Sequence, residues 1–327
     1  MATITDIARE LDISTATVSR ALNQSRLVVP ELAVRINEAA DKLGYRKRIT
    51  RRHSGRAILN IKLVLPHHQE PERSLFYDLA ALIEGIQYGF RNCGINLLCE
   101  TNSPKFEPYP HKKGGDINAF IFAFNRPSQS TFRKLREVGT PYVILNRNID
   151  GIPCVASENA LGMDKLTSHL VSRRADLRPA YVSIKGLGQI DEERLEGFAE
   201  ACAREVVRFG KDTDVRYFDG ISSITAEEIS SLAGKYNALV CVNDIVGTVI
   251  LSELDRLGIP VPSKVAVTGF DDSPVRRLSR PLLTTVSMPM HELARVAASR
   301  LKSQIISNRP PADSVRVAGS LIIGEST

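Results

Sequence analysis

Residues 3–45, TITDIARELDISTATVSRALNQSRLVVPELAVRINEAADKLGY, hold three short amphipathic helices in succession. Ile4, Ile7, Ala8 and Leu11 recur at helical spacing, and Thr3, three residues before Asp6, is placed to cap the first helix. After a break at Asp12-Ile13, Ser14 caps a second helix whose buried side is Val18, Ala21 and Leu22. Pro30 sets the first turn of a third, striped by Ile36, Ala39, Ala40 and Leu43. The second helix then exposes Thr15, Ala16 and Arg20, flanked by Thr17, Ser19 and Asn23. Such a face suits the major groove. Arginine donates two hydrogen bonds to guanine, threonine reaches a base edge, alanine touches a thymine methyl, and flanking hydroxyls and amides hold phosphates. A solvated face on a small α domain is the alternative, and spacing alone weighs the two about evenly.

Charge divides the chain unevenly. Residues 1–56 hold eleven Lys and Arg against six Asp and Glu, so they carry +5 of the formal +6 of all 327 residues. Six of these cations, Arg46, Lys47, Arg48, Arg51, Arg52 and Arg56, fall in one stretch without a carboxylate. A one-signed run beside three such helices reads as a phosphate-binding arm, to which Arg26 adds a further cation.

From Ala57 onward the pattern changes to strands alternating with helices. Expected strands are Ile58–Pro66, Ile95–Thr101, Ala119–Phe124 and Tyr142–Leu145, with helices over Leu75–Asn92 and Ser128–Val138. A second series follows: strands Ala180–Ile184, Val215–Phe218, Ala238–Val242 and Val265–Phe270, and helices Ala160–Arg173, Glu192–Val207, Thr225–Lys235 and Ile245–Leu257. Regular alternation predicts two doubly wound α/β lobes with parallel sheets, each covered by helices on both faces, after an all-α head. The segment SPKFEPYPHKKGGD, residues 103–116, reads as a loop. Five cysteines, odd in number and without a CxxC pair, read as reduced thiols. With no apolar run of membrane-spanning length and a capped helix where an export signal would stand, the expected location is the cytoplasm.

TITDIARELDISTATVSRALN, with a third helix ending LGYR, closely resembles the DNA-binding head of the LacI/GalR family of bacterial transcription regulators. The resemblance implies that Thr15, Ala16 and Arg20 read bases and that Thr17, Ser19, Asn23 and Tyr45 hold the backbone of a palindromic operator. It fails after Tyr45. Family members continue with a proline and an ARSL-like hinge helix that wedges a leucine into the minor groove, whereas here Ile49 is the one large apolar candidate. Greater reliance on phosphate contacts and less central kinking is therefore expected.

The resemblance extends along the chain. VCVNDIVGTVILSELDRLGIPVPSKVAVTGFDD, from Val240, resembles the family's sugar-binding-like effector domain, implying that Asn243 and Asp271 contact a small effector. On position alone both residues read as helix or turn caps. Arg194-Leu195-Glu196-Gly197-Phe198 looks like the R-x-x-G-F segment whose arginine reaches the ligand, and Phe76-Tyr77 like the aromatic pair that stacks on it. Glu158-Asn159 stands where the family has an aspartate-asparagine pair, and Arg147 lies near a crevice-facing loop. By analogy the chain divides into a head over residues 1–56 and an effector-binding and dimerisation domain over 57–327. The first lobe of that domain takes about 57–156 plus 289–318, the second about 157–288 plus 319–327, with crossings near Ala156–Glu158, Ser287–Pro289 and Ala318–Ser320. With no leucine heptad tail, a homodimer is expected.

Two lobes around a cleft also serve enzymes. Gly186-Leu187-Gly188 lacks the third glycine of a dinucleotide loop, and no GxxxxGK[ST], GxSxG or HExxH is present. His67-His68 lacks companion ligands for a metal. The expectation is a repressor of carbohydrate-utilisation genes released by a sugar or sugar derivative, with no cofactor, catalytic residue or metal. A co-repressed or activating regulator with a non-sugar effector is the alternative, and a two-lobe sugar-metabolising enzyme stands behind both.

Overall fold

The computed structural model describes residues 3–22, 28–45, 51–53, 56–67, 78–108, 111–112, 115–307 and 313–327. The chain separates into two compact units, Met1–Gly55 and Arg56–Thr327.

In the first unit, helices α1 (Ile4–Glu10), α2 (Thr15–Leu22) and α3 (Pro30–Lys42) close a small core of Ile7, Ala8, Val18, Ala21, Ile36, Ala39 and Ala40. Thr3 and Asp6 form a reciprocal capping box on α1, which satisfies amide groups that a seven-residue helix cannot satisfy internally. Ser14 Oγ accepts the Thr17 amide at 3.1 Å and starts α2. The chain leaves α3 through Gly44 at φ +64°, a left-handed position that glycine takes without a Cβ clash.

The second unit is built on two parallel sheets. In the first, strands β1 (Arg56–Leu65), β2 (Gly94–Thr101), β3 (Ala119–Ala123), β4 (Tyr142–Leu145), β5 (Cys154–Ser157) and β11 (Val315–Val317) pair in the order β2-β1-β3-β4-β5-β11. All five residues of β3 are buried because both faces of the sheet are covered, which is why it reads as an unbroken apolar run. One face packs Ile61, Leu63 and Ile121 under α4 (Leu79–Gly89) and α10 (Met290–Ser307). The other packs Val64, Phe120 and Phe122 against Phe132 and Leu135 of α5 (Gln129–Val138). In the second sheet, β6 (Pro179–Ile184), β7 (Val215–Phe218), β8 (Ala238–Cys241) and β9 (Ala266–Thr268) run in the order β7-β6-β8-β9. Around it lie α6 (Asn159–Arg173), α7 (Gln189–Arg204), α8 (Ala226–Lys235) and α9 (Asp244–Arg256). The chain passes between the layers at 157–159, 286–290 and 317–321, where β10 (Thr285–Val286) and β12 (Leu321–Ile322) form a short antiparallel pair. The strands β5, β10, β11 and β12 were not anticipated from sequence, because two to four residues carry too little periodicity. In the 103–116 segment the described residues include no helix, but the two-residue strands His111–Lys112 and Gly115–Asp116 pair there.

Close approach of α4 and α10 depends on Gly85, where an added Cβ would lie 2.3 Å from the His291 carbonyl oxygen and 2.7 Å from Ala294 Cβ. Gly85→Ala gains helix propensity but drives a methyl into backbone that cannot yield, so a net loss of about 1–3 kcal/mol is expected. Gly234 in α8 has open space around its Cβ position, so Gly234→Ala should gain about 0.5–1 kcal/mol. Urea denaturation of the two variants should therefore move in opposite directions. Equal shifts would mean that propensity alone governs both positions.

Candidate functional site

The second unit holds a cavity of about 240 Å³ where the carboxyl-end loops of the first sheet face α7 of the second. From the first sheet come Arg126 after β3, Asn146, Arg147 and Asn148 after β4, and Arg316 on β11. Opposite them are Gly186, Leu187 and Gly188 after β6, then Gln189, Ile190 and Glu193 on α7, with Asn159 at the start of α6. Ligand crevices of doubly wound sheets form beyond strand carboxyl ends because helix N-termini and adaptable loops converge there.

Polar contacts tie the two sides together. Glu193 Oε2 accepts from Asn159 Nδ2 at 2.7 Å and from Arg316 at 3.3 Å, while its Oε1 accepts from Asn148 Nδ2 at 2.5 Å. Arg126 donates across to the Gln189 side-chain oxygen. Behind this layer, Arg194 Nη2 meets Asp271 Oδ1 at 2.5 Å, Nη1 donates to the Val242 carbonyl at 2.6 Å, and Nε donates to Asn159 Oδ1 at 3.1 Å. The guanidinium also lies over the Phe270 ring at 3.9 Å. Asp271–Arg194–Asn159–Glu193 is thus a continuous chain of charge-assisted contacts from the loop after β9 to the first-sheet loops. Asp271 sits at φ +101° and Asp272 at +50°, a left-handed backbone that non-glycine residues hold only when their surroundings enforce it.

These positions redraw the expected effector set. Arg147 lines the cavity, its Nη1 donating to the Asn146 carbonyl at 2.7 Å. Burial first, then Arg126 and Arg194, push the Arg147 pKa down to about 10. Arg194 and Asp271 come together as a buried ion pair that reaches the cavity through Asn159. Asn243 is 2% exposed and caps α9, accepting the Val246 amide at 3.0 Å. Phe76 and Tyr77 lie outside the described residues. Arg126, Arg316, Asn148 and Glu193 were missed, although the same attention to residues following strands, applied to β3 and β4, would have found Arg126 and Asn148.

In the first unit, Thr15 and Ala16 are exposed and Thr17 and Ser19 half-buried along α2. Tyr45 is half-buried against the helical core. The backbone of Arg20 lies in α2, and the backbones of Arg51 and Arg52 in the short strand Arg51–His53. Asn23, Arg26, Arg46, Lys47, Arg48 and Ile49 lie outside the described residues. Among the described residues no group of three or more metal-ligating side chains occurs, and no helix is long and apolar enough to cross a membrane.

The lacI-family model of bacterial regulatory proteins matches residues 3–47, and a periplasmic-binding-protein-like domain matches residues 167–327. The chain belongs to the LacI/GalR family of bacterial transcription regulators. This LacI/GalR regulator is 25% identical over 334 residues to the ribose operon repressor of Halalkalibacterium halodurans, an alignment covering 100% of this chain and 97% of that protein. It is 26% identical over 321 residues to the regulator GalR of Escherichia coli, covering 95% and 91%. Among solved structures, the transcriptional regulator CelR in complex with cellobiose shares the fold, with a TM-score of 0.67, 23% identity and 100% coverage of each chain.

Proposed function

We propose that this regulator is a homodimeric repressor whose α2 faces read a palindromic operator and whose crevice binds a small sugar-like effector that switches operator affinity. The observation that carries the reading is the network across the crevice, in which Glu193 and Gln189 of α7 hold Asn148, Arg316 and Arg126 from the facing loops. A ligand entering between them exchanges these contacts for its own, so it has different contact energies with an open and a closed crevice, as any switching ligand must. Operator half-sites set the separation of two heads, so a small rotation of lobes within a dimer decides binding. Relatives that repress a ribose operon support a carbohydrate as the effector class.

Selection of bound duplexes from a random pool at fixed salt is expected to enrich a palindrome, and an asymmetric single site would remove the homodimer. Thr15, Ala16 and Arg20 are the proposed base readers, with Thr17, Ser19, Asn23, Arg26, Tyr45, Arg46, Lys47, Arg48, Arg51 and Arg52 on the backbone. Against the selected site, Arg20→Ala should weaken binding by about 1–3 kcal/mol and relax preference at one base pair. Equal weakening on every sequence would make Arg20 a phosphate contact instead.

A further inference from the structure

The crevice carries a charge that a neutral ligand leaves unanswered. Arg126, Arg147 and Arg316 line it against a single carboxylate, Glu193, a local balance of +2. That carboxylate is already committed to Asn148, Asn159 and Arg316. Arg194, just behind, is neutralised by Asp271. Of its arginine neighbours on this wall, Arg126 donates to the Gln189 side-chain oxygen and Arg316 to Glu193. Among the described residues Arg147 has no side-chain partner, and it donates only to the backbone carbonyl of its own neighbour. Burial first, then repulsion from Arg126 and Arg194, lowers its pKa to about 10, which still leaves it charged near neutral pH. A half-buried guanidinium that is charged and lacks an anionic partner gains free energy when an anion meets it.

A second feature points the same way. The 16-residue helix α7 begins at this wall with Gly188 as its N-cap, and no side chain caps it. Gly188, Gln189 and Ile190 all line the cavity, so the uncapped amide end of a long helix borders the space that Arg147 faces. The positive end of the helix dipole favours an anion there, beside the Asp191 and Glu192 carboxylates of its first turn.

We propose that the effector of this regulator is an anion, a sugar carrying a carboxylate or a phosphate, whose charged group is met by Arg147 together with Arg126 and the start of α7. The proposal rests on the crevice being the effector site. Arg316 then keeps its contact with Glu193, and the sugar hydroxyls take the amides of Asn148 and Gln189.

The test uses the full-length protein without DNA and follows its thermal midpoint at constant ionic strength. Titrants are inorganic phosphate, D-gluconate and D-glucose 6-phosphate, with D-glucose as the neutral control. At least one of the three anions should raise the midpoint saturably while glucose does not, and preference between gluconate and the sugar phosphate distinguishes carboxylate from phosphate. Arg147→Gln should weaken the anion about 10- to 100-fold, since a charge-assisted contact is lost. Without ligand the variant should be as stable as the parent, because an unpaired charge has been removed. No saturable shift with any of the three anions, or one unchanged by Arg147→Gln, overturns the proposal. So does a neutral sugar that releases operator DNA equally from parent and variant, although that outcome leaves the sugar-switched repressor intact. Failure to select an operator would count against the regulator reading, and the anion titration would still decide this one.

Discussion

Arg194→Ala is expected to destabilise the Arg56–Thr327 unit by about 3–5 kcal/mol, the usual cost of removing one member of a buried ion pair. The side chains of Arg194 and Asp271 are 3% and 9% exposed, so the abandoned carboxylate has little water to turn to. The same substitution removes the donors to the Val242 carbonyl and Asn159, and the cation stacked on Phe270. Arg194→Met with Asp271→Asn should recover part of the loss, because no lone charge remains and asparagine tolerates positive φ. Urea denaturation followed on the second unit measures both. A loss below about 1 kcal/mol for Arg194→Ala would show that the pair does not form in solution. Asp271→Ala should abolish the effector response and leave operator affinity of the folded protein intact, since its partners all lie in the second unit.

The second large effect is a pH dependence centred on Asp244. This carboxyl is fully buried at the start of α9, and burial foremost, with Asp271 and Asp272 adding to it, raises its pKa from 3.8 to about 8. The Thr285 hydroxyl at 2.5 Å and the Ser273 amide at 2.6 Å hydrogen-bond it and oppose the rise without cancelling it. A raised folded pKa means that the native state binds the proton more tightly than the unfolded chain does. Asp244 therefore costs nothing below about pH 4, and its cost grows as pH rises toward 8. At about 1.4 kcal/mol per pH unit, the full effect is several kcal/mol. Asp244→Asn keeps an acceptor for the Ser273 amide and turns its NH₂ toward the Thr285 oxygen. The variant should exceed the parent in stability by several kcal/mol at pH 9 and by only about 1–2 kcal/mol at pH 5. Parallel stability profiles for the two proteins across this range would show that Asp244 ionises in the native state as it does in the unfolded chain.

What could be read from sequence was what local chemistry enforces. Helices α1, α2 and α3 were legible because their caps, Thr3 and Ser14, and their apolar stripes lie within a few residues of each other. The strands β3, β4, β6 and β8 were legible because sheets buried on both faces demand continuous apolar runs. The LacI/GalR membership was legible for the same reason, since the head motif is contiguous.

The crevice was legible only in part. Arg194 and Asp271 stand out in contiguous motifs, yet their mutual contact spans 77 residues of chain, and nothing local says that they neutralise each other. Asn243 shows the converse: position alone suggested a helix cap, and its side chain does accept the Val246 amide. Arg126, Glu193 and Arg316 were invisible as a group because they lie on a loop, a helix and a late strand that only the packed sheets bring together. By itself the sequence determined the head, the alternation of strands and helices and the buried faces, all of which depend on neighbours within a turn or a strand. Tertiary structure decided which charges remain unpaired in the crevice, because pairing depends on distances between residues that the chain separates widely and folding alone brings within reach.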